Sequence, residues 1–97
     1  MPTYISLLRL TQKGIESIKE GPARLDRANQ EFRAAGAELK AFYLVSGQYD
    51  AVVISEAPNF ETVARLSFAT GAGGNIRTES TQAFTEEEYR KIIATLP

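Results

Sequence analysis

Three segments of this chain are apolar without interruption: Leu7-Leu8, Phe42-Tyr43-Leu44-Val45 and Ala51-Val52-Val53-Ile54. A strand with one wet face alternates apolar and polar residues, whereas an unbroken run marks a strand covered on both sides. The chain has 97 residues, and its helices suffice for one side of a sheet only. A second subunit is therefore expected over the other side. This bounds the architecture while leaving the activity open.

The length fits a single domain spanning residues 1–97, near the small end, where a partner surface helps stability. The net charge is -1, so no basic field draws in nucleic acid or anionic lipid. Cysteine is absent, which excludes disulfides and zinc–thiolate sites and suits a reducing cytoplasm. Met1-Pro2-Thr3-Tyr4 lacks the basic-then-apolar start of a signal peptide. No apolar run approaches the roughly 20 residues that span a bilayer. Histidine is missing too. That removes the commonest metal ligand and the side chain best suited to proton transfer near neutrality, so no metal or cofactor is expected.

Pro2 to Leu10 reads as a strand. From Ile15 the apolar positions Ile18, Pro22, Leu25, Ala28, Phe32 and Ala35 follow at helical intervals. Gly21-Pro22 interrupts the stripe, which predicts a short first helix, a break, and a longer helix carrying Pro22 in its first turn and stopping at Gly36. Glu38–Ser46 and Tyr49–Glu56 read as a hairpin around Ser46-Gly47-Gln48. Gly47 serves the turn, where a positive φ would exclude larger residues. Asn59 caps a helix that ends in Thr70-Gly71-Ala72-Gly73-Gly74. Asn75 to Phe84 is a polar strand suited to a sheet edge. Thr85-Glu86-Glu87-Glu88 is a capping box opening a last helix, with Tyr89, Ile92, Ile93 and Leu96 on one face.

The order is βαββαβ plus a C-terminal helix. It predicts an α+β, ferredoxin-like fold with antiparallel sheet order 4-1-3-2 and two helices on one face. Strict alternation groups Ile5, Leu7, Phe42, Leu44, Val52 and Ile54 on one face. It groups Tyr4, Leu8, Leu10, Leu39, Tyr43, Val45, Tyr49 and Val53 on the other. The aliphatic set is expected under the helices, and the tyrosine-bearing set between the sheets of a homodimer that forms an α+β barrel. Assembly into higher oligomers is left open.

Gly47-Gln48-Tyr49-Asp50, Pro2-Thr3-Tyr4-Ile5, Gly74-Asn75-Ile76-Arg77-Thr78-Glu79-Ser80 and Ala83-Phe84-Thr85-Glu86-Glu87-Glu88 resemble the GYD-domain family over essentially the whole chain. The resemblance implies a dimeric α+β barrel and no particular activity. The hairpin also resembles the effector-binding domains of Lrp/AsnC regulators, where small ligands bind between subunits. No helix-turn-helix is present here, and fold does not fix function.

The sheet order brings Asp50, Arg9, Asn75 and Arg77 to one end, beside the glycine-rich loop. Two readings of this cluster stand. In one, Asp50 pairs with an arginine or accepts backbone N–H groups to hold the hairpin. In the other, the cluster is a recognition patch for a small anion or carboxylate. Tyr43 and Tyr49 are either interface tyrosines or the lining of a small-molecule cavity. The glycine-rich loop follows a helix and lacks a Gly-Lys-Ser/Thr ending, so it is not read as a phosphate loop. The glutamates at 86–88 are read as caps and solvated charges.

The leading expectation is a non-enzymatic homo-oligomeric module that binds a small metabolite at or near the dimer interface. The alternative is a small cofactor-independent enzyme of monooxygenase or isomerase type, with Tyr43 or Tyr49 as proton donor and Asp50 as base.

Overall fold

The computed structural model describes all 97 residues. Strand β1 (Thr3–Leu10) leads into a short helix α1 (Gln12–Glu16), a 3-10 turn at Ile18–Glu20, and helix α2 (Gly21–Ala34). Strands β2 (Glu38–Leu44) and β3 (Ala51–Glu56) follow, then helix α3 (Phe60–Gly71), strand β4 (Ile76–Ala83) and helix α4 (Glu86–Ala94). The four strands form one antiparallel sheet in the order β2-β3-β1-β4. Read from the other edge, this is the 4-1-3-2 order of a ferredoxin-like fold.

Local chemistry sets the element boundaries. Pro22 sits at the start of α2, where its missing N–H costs nothing, and Gly36 leaves that helix at φ +76°. The Asn59 side chain accepts the Thr62 N–H to open α3. Thr85 and Glu88 form a reciprocal capping box on α4. The β2–β3 hairpin closes with the Val45 N–H donating to the Asp50 carbonyl at 3.0 Å. Gly47 lies in that loop at φ +113°, a conformation that a Cβ disfavours.

Helices α2 and α3 lie on one face of the sheet, and burial alternates along β1 and β3 accordingly. Tyr4, Ser6, Ala51, Val53 and Ser55 are buried on the helix side. The principal core joins Tyr4, Ala37, Ala57, Val63 and Leu66, with Phe32 packed against it. Tyr4 is 2% exposed, and its ring lies 6.0 Å from that of Phe60.

Alternation grouped the β1 and β3 residues as the structure does, but the two groups occupy the faces opposite to those expected. Ile5, Leu7, Val52 and Ile54 lie on the bare face rather than under the helices. Tyr4, Leu8, Leu10 and Val53 lie on the helix side. On β2, Leu39 likewise lies on the helix side, opposite Ser55, and a bulge between Leu39 and Ala41 breaks the grouping of the later residues with β1 and β3. One extra residue on a strand inverts the alternation beyond it. Phe42 and Leu44 therefore join the helix side, opposite Val53 and Ala51, while Tyr43 pairs with Val52 on the bare face.

The last helix forms as its capping box predicts, but it does not return to the body. Every residue from Phe84 to Pro97 is exposed, including Tyr89, Ile92, Ile93 and Leu96. The bare sheet face thus has no cover from its own chain.

Helix α1 docks on the loop that precedes β4. The Thr11 N–H donates to the Asn75 carbonyl at 3.0 Å, Thr11 Oγ1 donates to the Gly74 carbonyl, and Lys13 Nζ donates to the Gly73 carbonyl at 2.8 Å. Gly14 permits this approach, since a Cβ there would fall 2.1 Å from the Asn75 carbonyl oxygen. Gly14→Ala must push α1 off the loop and is expected to lower unfolding free energy by about 1–3 kcal/mol. Urea titration followed by circular dichroism checks this, and an unchanged midpoint would refute the contact.

Candidate functional site

On the helix side of the sheet the layers do not close completely. Between the sheet, α2 and α3 lies a cavity of about 430 Å³. Its floor is built from the helix-side residues of the sheet, among them Leu8, Leu10, Phe42 and Val53. Its roof comes from Ile18, Leu25, Ala28 and Phe32, the stripe that runs through the 3-10 turn into α2, together with Leu66 of α3. Its wall includes several small residues, Gly21 and Ala28 from the helix and Ser6 and Ala51 from the strands.

A few polar groups interrupt the apolar wall. Asp50, Asn75, Arg24, Ser67, Thr70 and Thr78 all line it. Asp50 sits at the end of the β1–β3 ladder. Its Oδ2 accepts the Leu10 N–H at 2.8 Å, and its own N–H donates to the Leu8 carbonyl at 2.8 Å. One carboxylate oxygen thus closes the ladder. Asn75 Oδ1 accepts from Ser17 Oγ at 3.4 Å. Arg24 donates to the Ser17 carbonyl at 3.1 Å and pairs with Glu20 at 3.5 Å, so its guanidinium is already engaged at the cavity wall. A site of this kind suits a small molecule with a largely apolar body and one hydrogen-bonding end.

The structure divides the residues that sequence placed together. Asp50 and Asn75 line the cavity. Arg9 and Arg77 face each other across β1 and β4 on the opposite, bare side, in phase with Leu7 and Glu79. Tyr43 and Tyr49 belong to that side as well. The Arg9 guanidinium lies 4.9 Å above the centre of the Tyr49 ring, and the Tyr49 hydroxyl donates to Glu79 Oε2 at 2.8 Å. Tyr43 is 58% exposed. No tyrosine lines the cavity, so the pairing of a Tyr43 or Tyr49 proton donor with an Asp50 base inside it has no geometric basis. The expected anion patch likewise loses its unity, because the thickness of the sheet separates the two arginines from the cavity lining.

Of the two readings of Asp50, the backbone-holding one describes its hydrogen bonds. The glycine-rich loop offers carbonyl oxygens to α1 rather than N–H groups to a phosphate. Glu86 and Glu87 pair with Arg90 and Lys91, and Glu88 caps α4. Sequence reasoning passed over Arg24, Ser67, Thr70 and Thr78. Arg24 carried a faint signal, lying one turn before Ala28 beside the apolar stripe. Removing the Asp50 carboxylate strands the Leu10 N–H. Asp50→Ala is therefore expected to cost about 1–3 kcal/mol, and Asp50→Asn, which keeps an acceptor oxygen, less than about 1 kcal/mol. Chemical denaturation of both variants checks the order.

No helix of the chain is long and apolar enough to cross a membrane. Comparison with known proteins gives the fold and the family. The feast or famine regulatory protein of Mycobacterium tuberculosis, solved as a complex with L-methionine, superposes with a TM-score of 0.66 at 16% identity, over 88% of this chain and 51% of that one. The leucine response regulatory protein of the same organism gives 0.64 at 18% identity, over 87% and 51%. This chain thus spans about half the length of those regulators, and the likeness is one of fold. A protein of Thermus thermophilus named glutamine synthetase and cystathionine beta-lyase binding protein is 38% identical over 84 residues, 86% of this chain and 88% of its own length. The GYD domain family matches residues 4–93; the chain belongs to that family.

Proposed function

We infer that this protein is a non-catalytic homodimeric module that binds a small molecule in the cavity between its sheet and helices. The observation that carries the reading is the cavity itself. A space of about 430 Å³ falls within the usual range for small-molecule sites, and its apolar walls with a few polar groups have the usual composition. Asp50 and Asn75 supply the hydrogen-bonding end. The regulator of related fold solved with L-methionine supports a ligand of this size. The bare sheet face supports the homodimer. Ile5, Leu7, Ala41, Tyr43, Val52 and Ile54 form an apolar patch that none of the chain's own helices covers. In this arrangement Tyr43 is an interface residue.

A thermal-shift screen with amino acids, aromatic acids and short-chain carboxylates tests the ligand. A compound at a hundredfold excess over its Kd adds about 2.7 kcal/mol of stability. Ala28→Trp fills the roof and is expected to abolish the shift, while Tyr43→Ala, on the opposite face, leaves it intact. The reading fails if no compound raises the melting temperature of the wild type.

A specific observation favours a second role, docking to an enzyme. Tyr89, Ile92, Ile93 and Leu96 repeat at i, i+3, i+4 and i+7 on the fully exposed C-terminal segment. This is the spacing by which an amphipathic helix enters a groove on a partner. The name of the Thermus relative records two enzyme partners. Purified glutamine synthetase is expected to bind the wild type and to lose at least about tenfold in affinity toward a variant carrying both Ile92→Asp and Ile93→Asp. Biosensor titration measures this, and equal binding by the two proteins would remove the role of α4.

A further inference from the structure

The two charged side chains in the cavity wall are Asp50 and Arg24, and they are not equivalent. The Arg24 guanidinium is already engaged within the chain. It donates to the Ser17 carbonyl at 3.1 Å and to Ser17 Oγ at 3.4 Å, and it pairs with Glu20 at 3.5 Å. Asp50 belongs to no ion pair. Its Oδ2 accepts the Leu10 N–H at 2.8 Å, and its Oδ1 has no partner within the chain. The cavity wall therefore carries one negative charge that nothing in the chain offsets.

The neutral groups of the wall follow the same pattern. Thr70 Oγ1 donates its proton to the Leu66 carbonyl at 2.7 Å, which leaves the oxygen as an acceptor. Asn75 Oδ1 has only a long 3.4 Å contact with Ser17 Oγ, whose proton also serves the Lys13 carbonyl at 2.8 Å. Asp50 and Asn75 are held at the same corner of the sheet. The Asp50 carboxylate takes the Leu10 N–H, and the Asn75 carbonyl takes the next one, from Thr11, at 3.0 Å. The Asn75 amide still offers N–H groups, but they are uncharged.

We propose that the ligand of this cavity is an apolar amine, bound as its ammonium ion, with the charge on Asp50 and the hydrocarbon body among Leu8, Leu25, Phe32 and Phe42. The proposal rests on the small-molecule reading given above and names the ligand class. An ammonium group brings only donors, which complements a wall of acceptors. It also supplies the missing counter-charge, and a charge-assisted hydrogen bond is stronger than a neutral one. The Leu10 N–H fixes the carboxylate before the ligand arrives, so binding orders little further. A carboxylate ligand would meet the like charge of Asp50 and find the guanidinium occupied. This sign is opposite to the anion patch expected from grouping Asp50 with Arg9 and Arg77, because those arginines lie across the sheet from the cavity.

Isothermal titration calorimetry with matched ammonium, carboxylate and alcohol compounds on isobutyl, phenyl and indole bodies tests this. On at least one body, the amine is expected to bind the wild type at least about tenfold more tightly than the matching acid or alcohol. Asp50→Asn keeps an acceptor for the Leu10 N–H and removes the charge. It is expected to weaken that amine at least about tenfold, and to bind the matching acid no more weakly than the wild type does. A purely structural loss would weaken both. An acid that binds as tightly as its amine, or an Asp50→Asn protein that loses both alike, would overturn the amine and leave the cavity standing as a small-molecule site. If no compound of any class binds the wild type, the ligand reading itself falls and the amine with it.

Discussion

The controlling constraint in this protein is that a β-sheet has two faces and this chain has helices for one. Strands β1 and β3 run through the middle of the sheet, and both carry apolar side chains in either direction. On the helix side that surface is consumed by Tyr4, Val53, Val63 and Leu66, or walls the cavity. On the other side, Ile5, Leu7, Val52 and Ile54 meet no element of their own chain. Eleven of the 97 residues are buried, so a protomer by itself has a slender core for its size. Any account of its function must begin from what that surface meets.

The helix layer explains the cavity. Its α3 half seats tightly, because Ala57, Val63 and Leu66 fill the space above Tyr4. Its α2 half leaves the cavity open over the sheet, with the small residues Gly21 and Ala28 of the helix and Ser6 and Ala51 of the strands in its wall. The Gly21-Pro22 break and the Gly14 contact with Asn75 fix how the chain enters α2. Gly21, Pro22 and Asn75 also line the cavity. Asp50 links this region to the sheet by closing the β1–β3 ladder through the Leu10 N–H.

The GYD signature sits across the sheet rather than inside one pocket. Its tyrosine, Tyr49, lies on the bare face under Arg9, and its aspartate, Asp50, lines the cavity on the other side. Both lie in the loop just before β3, and the two adjacent side chains reach opposite sides of the sheet, so a two-residue motif touches both. The turn glycine supplies the positive φ that lets the hairpin deliver them. The short motif therefore links the cavity side of the sheet to its bare side.

Residue type and spacing determined the elements. The Pro22 entry, the Gly36 exit, the Asn59 cap and the Thr85–Glu88 box each follow from one local rule, and the antiparallel ferredoxin-like order follows from the succession of strands and helices. Faces and sites needed the folded chain. The bulge at Lys40 left no mark in the apolar pattern, yet one inserted residue separated Phe42 and Leu44 from Ile5, Leu7, Val52 and Ile54, and Tyr43 from Tyr4, Leu8, Leu10 and Val53, with which alternation had grouped them. The clustering of Asp50, Arg9, Asn75 and Arg77 was legible as proximity along strand ends. Which side of the pleat each side chain occupies depends on register, a property of paired backbones that no single strand encodes.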